Sequence, residues 1–189
     1  RIGSFYTETN ARFVEPQNPL TFLPWDDSRF LLQSEADGFS HLYIFRLTDE
    51  GGQLRVEQER QLTAGEYEDL ELLGFNTARR SVILRTNESG HIRENVYAVD
   101  VATGARTLLD NGEGVHRASL SPAGTLFLDR WAKPDVFRRL ELRSTAKPAL
   151  LATLQECESP WKDYSMPEVR GGTLTAADGH TPLYYRIVL

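Results

Sequence analysis

Residues 29–45 read Arg29-Phe30-Leu31-Leu32-Gln33-Ser34-Glu35-Ala36-Asp37-Gly38-Phe39-Ser40-His41-Leu42-Tyr43-Ile44-Phe45. An apolar run, an acidic turn ending in Gly and a second apolar run form the pattern of two antiparallel strands. The pattern recurs. Ser81-Val82-Ile83-Leu84 and Thr125-Leu126-Phe127-Leu128 match the first run, and Asn95-Val96-Tyr97-Ala98-Val99 and Arg139-Leu140-Glu141-Leu142 match the second. Before each pair stands an apolar segment with a turn: Phe22-Leu23-Pro24, Gly74-Phe75-Asn76 and Leu120-Ser121-Pro122 with Gly124, whose starts lie 52 and 46 residues apart. After each pair comes a closing strand, Arg60-Gln61-Leu62-Thr63, Arg106-Thr107-Leu108-Leu109 and Leu150-Leu151-Ala152-Thr153. Four short strands in a unit of about 45 residues is the arithmetic of a propeller blade. The expected fold is all-β: about three consecutive four-stranded antiparallel blades of a partial β-propeller. Leucine-rich or helical solenoid repeats would need other periods, and neither is present.

The 189 residues carry 21 Lys and Arg against 27 Asp and Glu, a formal charge of -6. With no basic block for phosphates to condense on, nucleic acid is excluded as a partner. Charged residues interrupt every apolar stretch, so no membrane span is expected. The single cysteine, Cys157, rules out an internal disulfide and a cysteine-built zinc site. Arg1 to Asn10 show no signal-peptide pattern, and localisation is not legible there.

The four histidines, 41, 91, 116 and 180, are 50, 25 and 64 residues apart, without metal-ligand spacing. No metal and no cofactor is expected. His41 reads as a hydrogen-bonded strand residue. The run Glu66-Tyr67-Glu68-Asp69-Leu70-Glu71 lacks the glycine and alternating ligands of a calcium loop and reads as a solvated blade edge. Asp37-Gly38, Gly51-Gly52, Gly112-Glu113-Gly114 and Gly171-Gly172 read as turns. Asn87-Glu88-Ser89 matches a glycosylation triplet of the kind that arises by chance.

The stretches Phe13-Val14-Glu15-Pro16, Leu20-Thr21-Phe22-Leu23-Pro24 and Gln33 to Tyr43 resemble bacterial members of the dipeptidyl peptidase IV branch of the prolyl oligopeptidase family. Ser34-Glu35-Ala36-Asp37-Gly38-Phe39-Ser40-His41-Leu42-Tyr43 is the most specific part. Gln61-Leu62-Thr63-Ala64-Gly65-Glu66-Tyr67-Glu68 resembles the family's ending of the same blade, and Ala118-Ser119-Leu120-Ser121-Pro122-Ala123-Gly124 its blade start. Thr175-Ala176-Ala177-Asp178-Gly179 with Leu183-Tyr184-Tyr185-Arg186 is similar to the strand pair that opens the α/β-hydrolase domain. The resemblance implies a partial propeller over 1–166 and, over 167–189, the start of that domain or closing strands.

It also implies a parent serine dipeptidyl aminopeptidase, periplasmic or secreted, whose partners are a peptide substrate and the protein's own hydrolase domain. Catalytic residues are expected to be absent: no Gly-x-Ser-x-Gly occurs, and no part of this chain matches the family's Glu pair for the substrate amine. The expected role is non-catalytic, walling and gating the substrate cavity. The resemblance puts Arg12, Phe13 and Glu15 beside that cavity, with Phe13 against a substrate side chain; the competing reading is a blade connection with Phe13 in the core. A stand-alone propeller scaffold or protein-binding module is the alternative function. A propeller glycosidase would need channel carboxylates that the sequence does not place. Uncovered end blades carry the further expectation of self-association.

Overall fold

The computed structural model describes residues 5–15 and 19–189. Three four-stranded antiparallel sheets follow one another along the chain, each in strictly sequential strand order. The first holds β1 (Thr21–Leu23), β2 (Asp26–Ser34), β3 (His41–Glu50) and β4 (Gln53–Gln61). The second holds β5 (Asp69–Asn76), β6 (Ser81–Thr86), β7 (Asn95–Asp100) and β8 (Arg106–Leu108), with a 3-10 turn over Thr77–Arg79 between β5 and β6. The third holds β9 (Val115–Leu120), β10 (Leu126–Lys133), β11 (Val136–Ser144) and β12 (Ala149–Glu156). β13 (Val169–Thr175) and β14 (Pro182–Val188) form a separate hairpin. No α-helix occurs among the described residues, and the all-β, partial-propeller expectation holds.

Strands buried on both faces read as continuous apolar runs, because each pleat face meets a neighbouring layer. In β2 and β3, Leu31, Leu42 and Ile44 point one way and pack with Val82, Leu84 and Val99 of the second sheet. Phe30, Tyr43 and Phe45 point the other way and form a separate aromatic cluster with Tyr6. The second sheet turns Ile83, Val96 and Ala98 toward Phe127, Ala118 and Leu120 of the third. Two seams thus join three layers.

The step from sheet to sheet repeats at atomic detail. Leaving β4, Leu62 N donates to Leu42 O (2.7 Å), and Asp69 N at the start of β5 donates back to Ser40 O (2.8 Å). At the next step Leu109 N donates to Val96 O and His116 N to Glu94 O, both at 2.8 Å. The turn Ser121-Pro122-Ala123-Gly124 presses against the second sheet, and Thr145 Oγ1 links the two by donating to Gly124 O (2.6 Å) while accepting from Asn76 Nδ2 (2.8 Å).

Three local expectations are corrected. The first unit's closing strand is β4, which begins at Gln53, well before Arg60, with the Gly51-Gly52 turn joining it to β3. Its Gln, Glu and Arg residues hide a strand whose burial is slight. Gly171-Gly172 lies inside β13 rather than in a turn, and a Cβ on Gly172 would stand 2.5 Å from the Tyr185 hydroxyl across the hairpin. The glycine therefore gives room to an aromatic ring on the opposite strand. Within the acidic run, Asp69 is 2% exposed and Tyr67 is also buried, so only part of that run is a solvated edge.

Candidate functional site

Of the described residues before β1, those nearest the N-terminus are anchored on the first sheet and Arg12, Phe13 and Glu15 are exposed. Phe5 meets Phe30 and Phe45 edge-on with ring centroids 5.6 and 6.5 Å apart, and Tyr6 meets Phe45 at 5.5 Å. The Glu8 carboxylate accepts from Ser34 Oγ (2.7 Å) and Glu35 N (2.9 Å). Aromatic edge contacts and a charge-assisted hydrogen bond hold residues 5–8 on the first sheet's outer face. Past Asn10, whose side chain accepts from Arg12 N (2.9 Å), the chain lifts away. Arg12, Phe13 and Glu15 are all exposed, brought together only as neighbours on one short stretch. Phe13 is 65% exposed, which overturns its placement in the core. Pro16, the last residue of that motif, lies outside the described residues.

His41 opens β3 fully buried, with Nε2 3.0 Å from Gly65 O and Nδ1 3.7 Å from Asp69 Oδ2. Thr63 Oγ1 accepts from Leu42 N (2.9 Å) and donates to Asp69. The strand-residue reading of His41 is correct. The second seam has a counterpart: Asp110 accepts from Val96 N (2.6 Å) and from Asn95 Nδ2 (2.9 Å), and His116 of the following sheet stands beside it. Asn95, Asp110 and His116 thus occupy the positions of His41, Thr63 and Asp69.

Around His116 the sequence reading missed a buried ionic cluster. Its Nδ1 is 2.9 Å from both oxygens of Asp129, and its Nε2 is 2.7 Å from Glu113 O. Arg143 pairs with Asp129 (3.1 Å) and Glu141 (2.6 Å), and the imidazole stacks on Trp131 with centroids 5.5 Å apart. Register builds this cluster, because β10 alternates Phe127, Asp129 and Trp131 on the face toward the second sheet, and β11 opposes them with Arg143, Glu141 and Arg139. That alternation is the signal in the sequence. Burial favours the neutral ring, but the Asp129 hydrogen bond and the Asp110 charge outweigh it, so the His116 pKa is raised.

A His–Asp pair invites comparison with hydrolytic dyads, yet its chemistry differs. A general base needs a free nitrogen facing the group it deprotonates. Both His116 nitrogens face protein acceptors inside the core, so neither is free to take a proton from a substrate. The pair is a structural clasp. Among the described residues no group of His, Cys, Asp and Glu is arranged to hold a metal, and no helix is long and apolar enough to cross a membrane.

The geometry has counterparts among known proteins. Residues 2–138 match the profile of the dipeptidyl peptidase IV N-terminal region. The chain is similar to dipeptidyl peptidase 4 of Trichophyton equinum, 25% identical over 153 residues, covering 78% of this chain and 19% of that protein. Dipeptidyl peptidase 4 of Arthroderma otae is 26% identical over 72% of this chain and 17% of its own length. The chain thus spans about a fifth of the curated relatives it matches. A Bacteroides ovatus protein assigned as a dipeptidyl aminopeptidase IV superposes with a TM-score of 0.81 at 36% identity, over 95% of this chain and 27% of that one. Porphyromonas gingivalis dipeptidyl peptidase 4 shares the fold, with a TM-score of 0.73 at 24% identity over 89% of this chain and 23% of its own. Sheets stacked in chain order through repeated backbone clips, matched over most of the sequence, show that this chain belongs to the dipeptidyl peptidase IV N-terminal region family.

Proposed function

We propose that this chain is the non-catalytic propeller segment of a serine dipeptidyl aminopeptidase, forming part of the wall that admits peptide ends to a catalytic chamber. The observation that carries the reading is the 36% identity with the Bacteroides ovatus protein over 95% of this chain. A wall of stacked sheets selects by access, letting extended termini through and excluding folded chains. Residues 1–166 are the propeller part, and 167–189 open the hydrolase domain. Supporting that division, residues 157–168 are almost entirely exposed and the hairpin beyond them forms its own two-stranded sheet.

Arg12, Phe13 and Glu15 are the peptide-contacting residues in this reading. Phe13 presents an exposed ring for a substrate side chain, and the two flanking charges set local polarity. The setting is periplasmic or secreted. Self-association is part of the proposal as well, since Leu128 of β10 and Leu150, Leu151 and Leu154 of β12 leave the third sheet with exposed apolar side chains.

The test compares the longer protein that contains this segment with the segment alone, using Ala-Pro-p-nitroanilide. The longer protein is expected to release p-nitroaniline and the segment to release none. Phe13→Ala in the longer protein is expected to raise KM several-fold at unchanged kcat, since it removes binding common to ground and transition states. Absence of dipeptide release from the longer protein overturns the reading in favour of a scaffold. A strictly monomeric segment in light scattering removes the self-association.

A further inference from the structure

A cleft of about 280 Å³ opens between the first and second sheets, lined by Leu23, Trp25, Ile44 and Val101 with Arg29, Arg60, Arg80, Glu59 and Ala102. Leu23, Ile44 and Val101 are buried and give it an apolar floor. Trp25, held edge-on by Phe75 at 5.7 Å, gives it an aromatic wall. The rim is cationic. Glu59 is already engaged by Arg29 (2.8 and 3.0 Å) and Arg46 (3.3 Å), and Arg29 also pairs with Asp26 (3.2 Å). Arg60 donates to Val101 O. Arg80 has no carboxylate within ion-pair distance among the described residues.

Arg80 is also the one non-glycine among the described residues with positive φ, at φ 49° and ψ 43°. Glycine or asparagine is the ordinary occupant of such a position, after the end of a helical turn. An arginine there is paradoxical for the backbone alone, since any gain must come from its side chain.

We propose that this cleft is a binding site for a carboxylate carried next to an apolar or aromatic group, with Arg80 pairing the carboxylate and Trp25 and the floor taking the apolar part. Guanidinium groups recognise carboxylates by paired hydrogen bonds, and a half-enclosed apolar floor strengthens that contact. A peptide C-terminus and a free aryl-alkyl acid share this chemistry. The site does not depend on the peptidase reading.

Binding is read from Trp25 fluorescence and its indole NMR signal during titration with N-acetylphenylalanine, its primary amide and 3-phenylpropionate. Saturable binding of the acid, at least tenfold tighter than the amide, supports the site. Tighter binding of N-acetylphenylalanine than of 3-phenylpropionate assigns a peptide C-terminus, and equal binding assigns a free acid. Arg80→Gly is expected to lose at least tenfold in affinity while its melting temperature stays equal or rises, because glycine relieves the backbone. Equal binding of acid and amide, unchanged affinity in Arg80→Gly, or no saturable response overturns the proposal.

Discussion

A Cβ added at Gly124 would stand 1.7 Å from the Phe75 carbonyl oxygen of the neighbouring sheet, and φ there is +65°. Two penalties meet at this residue, left-handed backbone and a steric collision with main chain that cannot step aside. Gly51 has nearly the same φ, +67°, with nothing within 4 Å of an added Cβ, and so isolates the first penalty. Gly51→Ala is expected to cost about 1 kcal/mol, and Gly124→Ala at least about 3 kcal/mol, both measured by urea unfolding. The Ser-Pro-x-Gly turn was legible because its residue types name a turn. Its contact with Phe75 was not, since that partner lies in another repeat. The His116–Asp129 pair was hidden although both residues lie in one repeat: 13 residues apart, the two meet only once β9 and β10 are in register. Removing one member leaves the other charge buried without its partner. Asp129→Ala is expected to destabilise the chain by about 3–5 kcal/mol, by the same assay.

Strands differ in legibility according to how many faces they bury. β2, β3, β6 and β7 carry apolar side chains on both faces or in clean alternation, and each announces itself in the sequence. β4 has little burial, and its polar residues give no strand pattern until the pairing of Leu47 with Val56 is seen. The β13–β14 hairpin makes the opposite case. Its tyrosines, leucines and valines spell strand plainly, yet nearly all of them are exposed, and among the described residues the one aromatic contact reaching it from elsewhere joins Tyr184 to His91 at 6.1 Å. A two-stranded ribbon is marginal without a layer beneath it. Amide hydrogen exchange of the isolated chain is expected to show β13 and β14 exchanging near intrinsic rates and β6 and β7 slowest of all. Equal protection in both would mean that the hairpin is packed far more firmly than its exposure implies.

Across the whole molecule, the two seams hold ionisable groups whose protonation is coupled to packing. Burial works against a charged ring at His41 and at His116. Hydrogen bonding and charge from Asp69 and Gly65 O at the first, and from Asp129, Asp110 and Glu113 O at the second, outweigh it, and both pKa values are raised. Burial pushes the Asp110 carboxyl up as well, with the His116 charge pulling it down. For a histidine raised above its unfolded value near 6.5, the stabilisation is complete below about pH 6.5 and is lost as pH climbs through the folded value. Asp110 acts in the same direction from a lower starting point, because the folded state holds its proton longer. Urea midpoints are therefore expected to fall between about pH 6 and pH 9, at constant m-value. In a His41→Asn, His116→Gln double variant the pH slope should flatten over that interval whatever its absolute stability. The tryptophan signal offers an independent readout, because Trp131 stacks on His116 with rings 15° apart. Its emission should rise as the imidazolium loses its proton and stay level in His116→Gln. A urea midpoint that rises with pH would mean that the seams are held by neutral histidines, and the clasp at His116 would then have to be rebuilt around a single proton.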